Sequence, residues 1–195
     1  MNPYDIISHF YPEDTPLRRL LILHSEKVRD KALALLEAAR RKEKTDAWKT
    51  VDEQLVIDGS LLHDIGIGRT HAPGILCEGT EPYICHGVIG AQMLRGMDVA
   101  DTVRMEQIAR ICERHTGSGL TVHDIESQQL PIIPVRDLLP ETIEEKLVCL
   151  ADKFYSKSGD PSQEKSLERV RRSMMKFGAD SMERFDELCR LFSVN

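Results

Sequence analysis

Side chains that could hold a metal ion recur along this chain where helical periodicity would bury them. The clearest case is His63-Asp64. It closes the apolar run Leu55-Val56-Ile57-Asp58-Gly59-Ser60-Leu61-Leu62 and is followed by Ile65-Gly66. Neighbours on a helix point about 100° apart, because ~3.6 residues make a turn. Inside a helix, a His-Asp doublet therefore does not serve one small site. At the final turn, the nitrogen and the carboxylate can converge on a cation held over the helix end. Neutral imidazole and carboxylate oxygen are both ligands for divalent first-row metals. The competing reading is an exposed doublet that caps a helix.

Four more residues favour the metal. His24 shares a face with Leu20, Leu21 and Val28, and His115 follows Ile108, Ile111 and Cys112. Asp152 lies above Val148 and Cys149, and His86 precedes Ile89 and Gly90. A carboxylate on an inward face costs several kcal/mol unless something pairs with it. A cation shared by these side chains would be that partner.

The order His24 … His63-Asp64 … Asp152 resembles the HD-domain superfamily of metal-dependent phosphohydrolases, and His63-Asp64-Ile65-Gly66 matches its HDIG subgroup. His86 and His115 match the members that hold two metals. Glu113-Arg114-His115-Thr116-Gly117 and Pro140-Glu141-Thr142-Ile143-Glu144-Glu145-Lys146 are similar to a small, mostly uncharacterised HDIG branch. The resemblance covers roughly residues 15–158 and implies an all-α helical bundle with a core of about five helices. It also implies a ligand set. His24, His63, Asp64 and Asp152 hold one divalent ion, and Asp64 bridges to a second that His86 and His115 complete. Asp64 and His63 are then the catalytic pair, with Asp64 nearest the nucleophile. Mn, Fe, Co, Ni, Zn and Mg all remain open for one or two ions, because mixed imidazole and carboxylate ligands do not select among them. Arg69 is the nearest match to a basic residue that related proteins place after the doublet, near a phosphate. Lys153, beside Asp152, is the other substrate-binding candidate.

The implied reaction is hydrolysis of a phosphate ester or anhydride in a nucleotide or other small phosphorylated metabolite. A bound cation lowers the pKa of coordinated water and neutralises phosphoryl charge. The branch that cleaves cyclic diguanylate shows a Gly-Tyr-Pro signature where this chain has Thr116-Gly117-Ser118-Gly119, which disfavours that substrate. An HD-fold di-iron oxygenase and a non-catalytic metal- or nucleotide-binding module are the alternatives.

Several elements must position these groups. Thr15-Pro16 caps a helix expected to reach Lys42, and 42–46 is a polar connector. A second helix runs from about Asp52 to Asp64, and a third from Glu81-Pro82 to Gly96. The next runs from Asp98 or Asp101 to His115, a short one from Thr121 to Gln129, and one from Pro140 to about Ser158. Helices over about 160–177 and 180–192 form a C-terminal extension to a single domain of residues 1–195. No strand pattern competes. Residues 72–80 carry no secondary-structure signal and read as a lid or specificity loop. His71 in the loop before them, a possible further ligand or proton donor, reads as neither, Arg136 as a residue that could face the cleft, and the second doublet, His123-Asp124, as surface.

Composition narrows the classes. With 195 residues the chain can bury a core, and 41% apolar with 30% charged residues is an ordinary folded balance. A net charge of −6 argues against a dedicated nucleic-acid surface. No stretch is long and apolar enough for a bilayer, and the first residues are not expected to form a signal peptide. Five cysteines without a CxxC pair read as reduced, buried thiols of a cytoplasmic protein. A homo-oligomer is left open.

Overall fold

A computed structural model describes residues 2–42 and 46–194. Nine helices and three very short strands are found among them. In chain order they are α1 (Pro3–Phe10), α2 (Pro16–Lys42), α3 (Glu53–Leu62), β1 (Thr70–Ala72), β2 (Cys77–Glu78) and β3 (Glu81–Pro82). They continue with α4 (His86–Arg95), α5 (Thr102–Arg114), α6 (Val122–Ser127), α7 (Ile143–Asp152), α8 (Leu167–Met174) and α9 (Ala179–Leu191). The all-α reading holds. Residues 43–45 of the expected polar connector lie outside the described residues.

Side-chain caps set the helix starts. The Thr15 hydroxyl accepts from Arg18 N, Asp52 from Leu55 N, Asp101 from Arg104 N and Thr142 from Glu145 N. Each satisfies a first-turn N–H that has no partner within its helix. Because Thr142 is the cap, α7 starts at Ile143 and not at Pro140. It ends at Asp152, earlier than expected, and the chain then turns.

Helix α3 lies at the centre. It packs on α1, α2, α5 and α7, while α4 pairs with α5. Leu55, Val56, Leu61 and Leu62 are buried along it, and the stripe Leu21, Val28, Ala32, Leu35 and Leu36 is buried on α2. Burying one such Leu, Ile or Val contributes roughly 1.5–3 kcal/mol. The same continuous apolar cluster takes in Val170 and Met174 of α8 and Phe185 and Leu188 of α9. Among the described residues no helix is long and apolar enough to cross a membrane.

Residues 72–80 are not structureless. They lie in a small sheet of order β2-β1-β3. His71 and Ala72 pair antiparallel with Glu78 and Cys77, and Thr70 and His71 pair parallel with Glu81 and Pro82. Strands of two or three residues are too short for alternation to show in sequence. A short 3-10 turn at Tyr83–Cys85 follows, so α4 opens at His86 and not at Glu81. Likewise α8 opens at Leu167, capped by Ser166, and not near 160.

The doublet His123-Asp124 divides. His123 is exposed, but Asp124 is buried. Its carboxylate forms a capping box with Thr121 and accepts from Arg184 of α9 at 2.6 Å. The surface reading therefore fails for Asp124, because a partner some sixty residues on satisfies its charge.

The turn after α3 fits against α4 only because it carries glycine. A Cβ on Gly66 would lie 2.2 Å from His86 O and 2.5 Å from Gly90 N. Gly66→Ala should therefore lower stability by about 1–3 kcal/mol or more, since backbone must move. Gly74→Ala, whose Cβ would meet nothing within 4 Å, should change it by less than ~0.5 kcal/mol. Equal melting temperatures for the two variants would contradict this packing.

Candidate metal centre

Five core helices each bring one or two polar groups to a single point. His24 sits about a third of the way along α2, and His63-Asp64 follows the last turn of α3. His86 opens α4, His115 follows α5, and Asp152 ends α7. One donor atom from each of His24, His63, Asp64 and Asp152 lies within 4.8 Å of the others, and the same holds for Asp64, His86 and His115.

Asp64 joins the two groups. Its Oδ2 is 3.2 Å from His24 Nε2 and 3.1 Å from His63 Nε2. Its Oδ1 is 3.3 Å from His86 Nε2 and 3.5 Å from His115 Nε2. Asp152 Oδ1 closes the first group at 3.0 Å from His24 Nε2 and 3.5 Å from His63 Nε2.

Three of the rings are held by one local device. His63 Nδ1 donates to Ser60 O at 2.7 Å, His86 Nδ1 to Tyr83 O at 2.7 Å, and His115 Nδ1 to Cys112 O at 2.6 Å. Each acceptor lies three residues back. A proton fixed on Nδ1 leaves the Nε2 lone pair for a cation and sets the ring direction. Tyr83 also stacks on the His86 ring, with centroids 4.7 Å apart.

The donor set fits a divalent ion. Among the described residues, His63 Nε2 and Asp64 Oδ1 are buried without a hydrogen-bond partner. His86 Nε2 and His115 Nε2 face each other at 3.0 Å. Two lone pairs at that separation repel unless positive charge lies between them or one is protonated. Buried polar atoms are almost always paired, and a cation pairs all of these together.

Charge shapes the site. Burial works against the charged form of Asp64, but His63 and Lys157 outweigh it and hold the carboxyl well below its usual range. Lys153 and Lys157 do the same for Asp152. Burial also opposes charge on His63, yet Asp64 and Asp152 raise its pKa to about 9. For His86, burial dominates and lowers the pKa to about 3.

A cavity of about 350 Å³ opens onto the cluster. His86, His115 and Asp152 reach its floor, and Lys153 and Lys157 line it. Lys153 Nζ donates to Asp152 Oδ2 at 2.7 Å and to His115 O at 3.0 Å. Lys157 Nζ lies 2.6 Å from Asp64 Oδ2. From the sequence, Lys157 had no stronger claim than a solvated lysine flanking Asp152. In a helix reaching Ser158 it would point about 140° away from Asp152, five residues on; because α7 ends at Asp152, the turn that follows carries it back to the cluster.

Other expected residues stand apart. Arg69 is exposed in a groove with Tyr11 and Glu13 and does not line this cavity. His71 is exposed on β1. Arg136 binds buried Glu113 at 2.8 Å and is not a cavity wall. All five cysteines are buried and free.

The protonation pattern has a consequence for protein stripped of metal. A folded pKa of about 9 for His63 means stability present in full below pH ~6.5 and lost as pH rises through 9. A folded pKa of about 3 for His86 means stability lost as pH falls below ~6.5, where only the unfolded imidazole takes a proton. The melting temperature of chelator-treated protein should therefore peak near pH ~6.5 and fall on both sides. A steady rise from pH 6.5 to 9 would contradict the proton placed on His63.

The HD domain family model matches residues 13–156. Two curated relatives are named tRNA (cytidine(56)-2'-O)-methyltransferase. The one from Picrophilus torridus is 36% identical over 157 residues, 80% of this chain and 40% of that protein. The one from Thermoplasma volcanium is 33% identical over 175 residues, 89% of this chain and 42% of that protein. An uncharacterized protein from Methanocaldococcus jannaschii is 43% identical over 104 residues, 52% of this chain and 49% of that protein. The chain thus spans less than half the length of each of these relatives. No solved structure matches it. With five helices delivering a buried His/Asp cluster, and with the family model matching most of its length, the chain belongs to the HD domain family.

Proposed function

We propose that this protein is a metal-dependent phosphohydrolase acting on a phosphate ester or anhydride of a nucleotide or similar small metabolite. The observation that carries the reading is Asp64. Its two oxygens face two different pairs of imidazoles beside a cavity lined by two lysines. His24, His63, Asp64 and Asp152 would hold one ion, and Asp64, His86 and His115 a second. Divalent ions bound there acidify a water and neutralise the phosphoryl oxygens.

The chain's own groups do the rest. The carbonyls of Ser60, Tyr83 and Cys112 keep the three Nε2 lone pairs aimed inward. Asp64, whose two oxygens face the two groups of imidazoles, would orient the attacking water. Lys153 and Lys157 supply positive charge to a phosphoryl group entering from the cavity. Ile84, Leu120, Leu130 and Phe177 give that cavity apolar walls for the organic part of the substrate, and Arg184 adds a charged donor.

Methyl transfer is not carried over from the two named relatives, because the chain corresponds to 40% and 42% of them.

The test is a screen of Mn²⁺-loaded protein against phosphomonoesters, dinucleoside polyphosphates and cyclic dinucleotides. At least one class should turn over. Asp64→Ala and His63→Ala should lower kcat/KM by roughly 10³-fold, as expected when several kcal/mol of transition-state stabilisation is lost. No turnover with any class under several metals would contradict the reading. Oxygen consumption by iron-loaded protein would favour a di-iron oxygenase instead.

A further inference from the structure

Lys157 holds a position that the metal ligands alone do not require. It follows α7 by five residues, in a stretch without regular structure. Its side chain is only 9% exposed, and its Nζ reaches Asp64 Oδ2 at 2.6 Å. That oxygen is the one facing His24 and His63. The ammonium therefore sits on the same carboxylate oxygen that a cation in the first group of ligands would take.

The same side chain lines the cavity above the cluster and a second, adjoining one of about 330 Å³. It is thus within reach of both Asp64 and an incoming anion. Lys153 differs, since its Nζ is tied to Asp152 Oδ2 and to the His115 carbonyl. A cation arriving at Asp64 Oδ2 would face a like charge at hydrogen-bond distance. Repulsion of that kind weakens metal binding unless the ammonium leaves or an anion comes to sit between them.

We propose that Lys157 is a positioning residue that exchanges between two anions, Asp64 and the phosphoryl group of the substrate, so that metal and phosphate bind with positive coupling. Metal at Asp64 releases the ammonium into the cavity, and the ammonium then binds the phosphate. Linkage makes the effect reciprocal, so phosphate tightens metal by the factor that metal tightens phosphate. The inference rests on the hydrolase reading only for the identity of the anion.

Two experiments test it without relying on turnover. In the first, Mn²⁺ affinity is measured with and without inorganic phosphate, for the native protein and for Lys157→Met. Phosphate should tighten Mn²⁺ about tenfold in the native protein. Lys157→Met should bind Mn²⁺ alone about tenfold more tightly than native protein, and phosphate should add much less to it. Equal Mn²⁺ affinity for the two proteins would overturn the proposal.

The second uses native protein only, in case Lys157→Met does not fold. An amine-acylating reagent is followed at Lys157 by mass spectrometry. Labelling should rise when Mn²⁺ is added to chelator-treated protein and fall again with inorganic phosphate. Labelling that ignores both would overturn the exchange. Turnover together with indifferent labelling would remove this inference and leave the hydrolase intact. Coupled binding without turnover on any substrate would do the reverse.

Discussion

One carboxylate constrains the architecture. Asp64 has no exposed side-chain surface, and both its oxygens are surrounded by imidazole nitrogens and one ammonium. An ionised carboxylate in such a place is tolerable only if positive charge reaches it from several directions. Five helices meet that need. The α3 end delivers the acid, and α2, α4, α5 and α7 bring the groups that surround it. Glycine at position 66 lets the doublet's turn lie against α4. Gly87 plays the same part where α4 crosses α5, since a Cβ there would lie 2.4 Å from Cys112 O. The bundle is packed so that these helix ends can meet.

Much of this was legible in the sequence, for a definite reason. A polar residue on an apolar helical stripe must have a partner, and six such residues in one chain suggest a common one. That reasoning found His24, His63, Asp64, His86, His115 and Asp152, and all six converge. Caps were similarly visible at Thr15 and Thr121, because a hydroxyl before a helix has few other uses. What stayed hidden depends on tertiary partners. Asp124 looks exposed until Arg184, on a helix far along the chain, comes to pair with it. The three-strand sheet is too short to leave an alternating pattern. Lys157 falls inside the helix expected to reach Ser158 and on another face from Asp152; the early end of α7 at Asp152 is what turns it inward.

The C-terminal helices gain a role from the geometry. The family match stops at residue 156, yet Phe177, Ser181 and Arg184 line the cavity beside the cluster. The helical core thus places the His/Asp cluster, while residues beyond the matched region line part of the cavity beside it.

The central claim is that two groups of ligands share Asp64 as a common member. Anomalous X-ray diffraction at the manganese edge, on crystals of Mn²⁺-loaded protein, tests it most directly. The account predicts density between His24, His63, Asp64 and Asp152, and a second peak between Asp64, His86 and His115 when both positions fill. Manganese found only at surface carboxylates, with the six side chains bonded to one another and no ion among them, would contradict it.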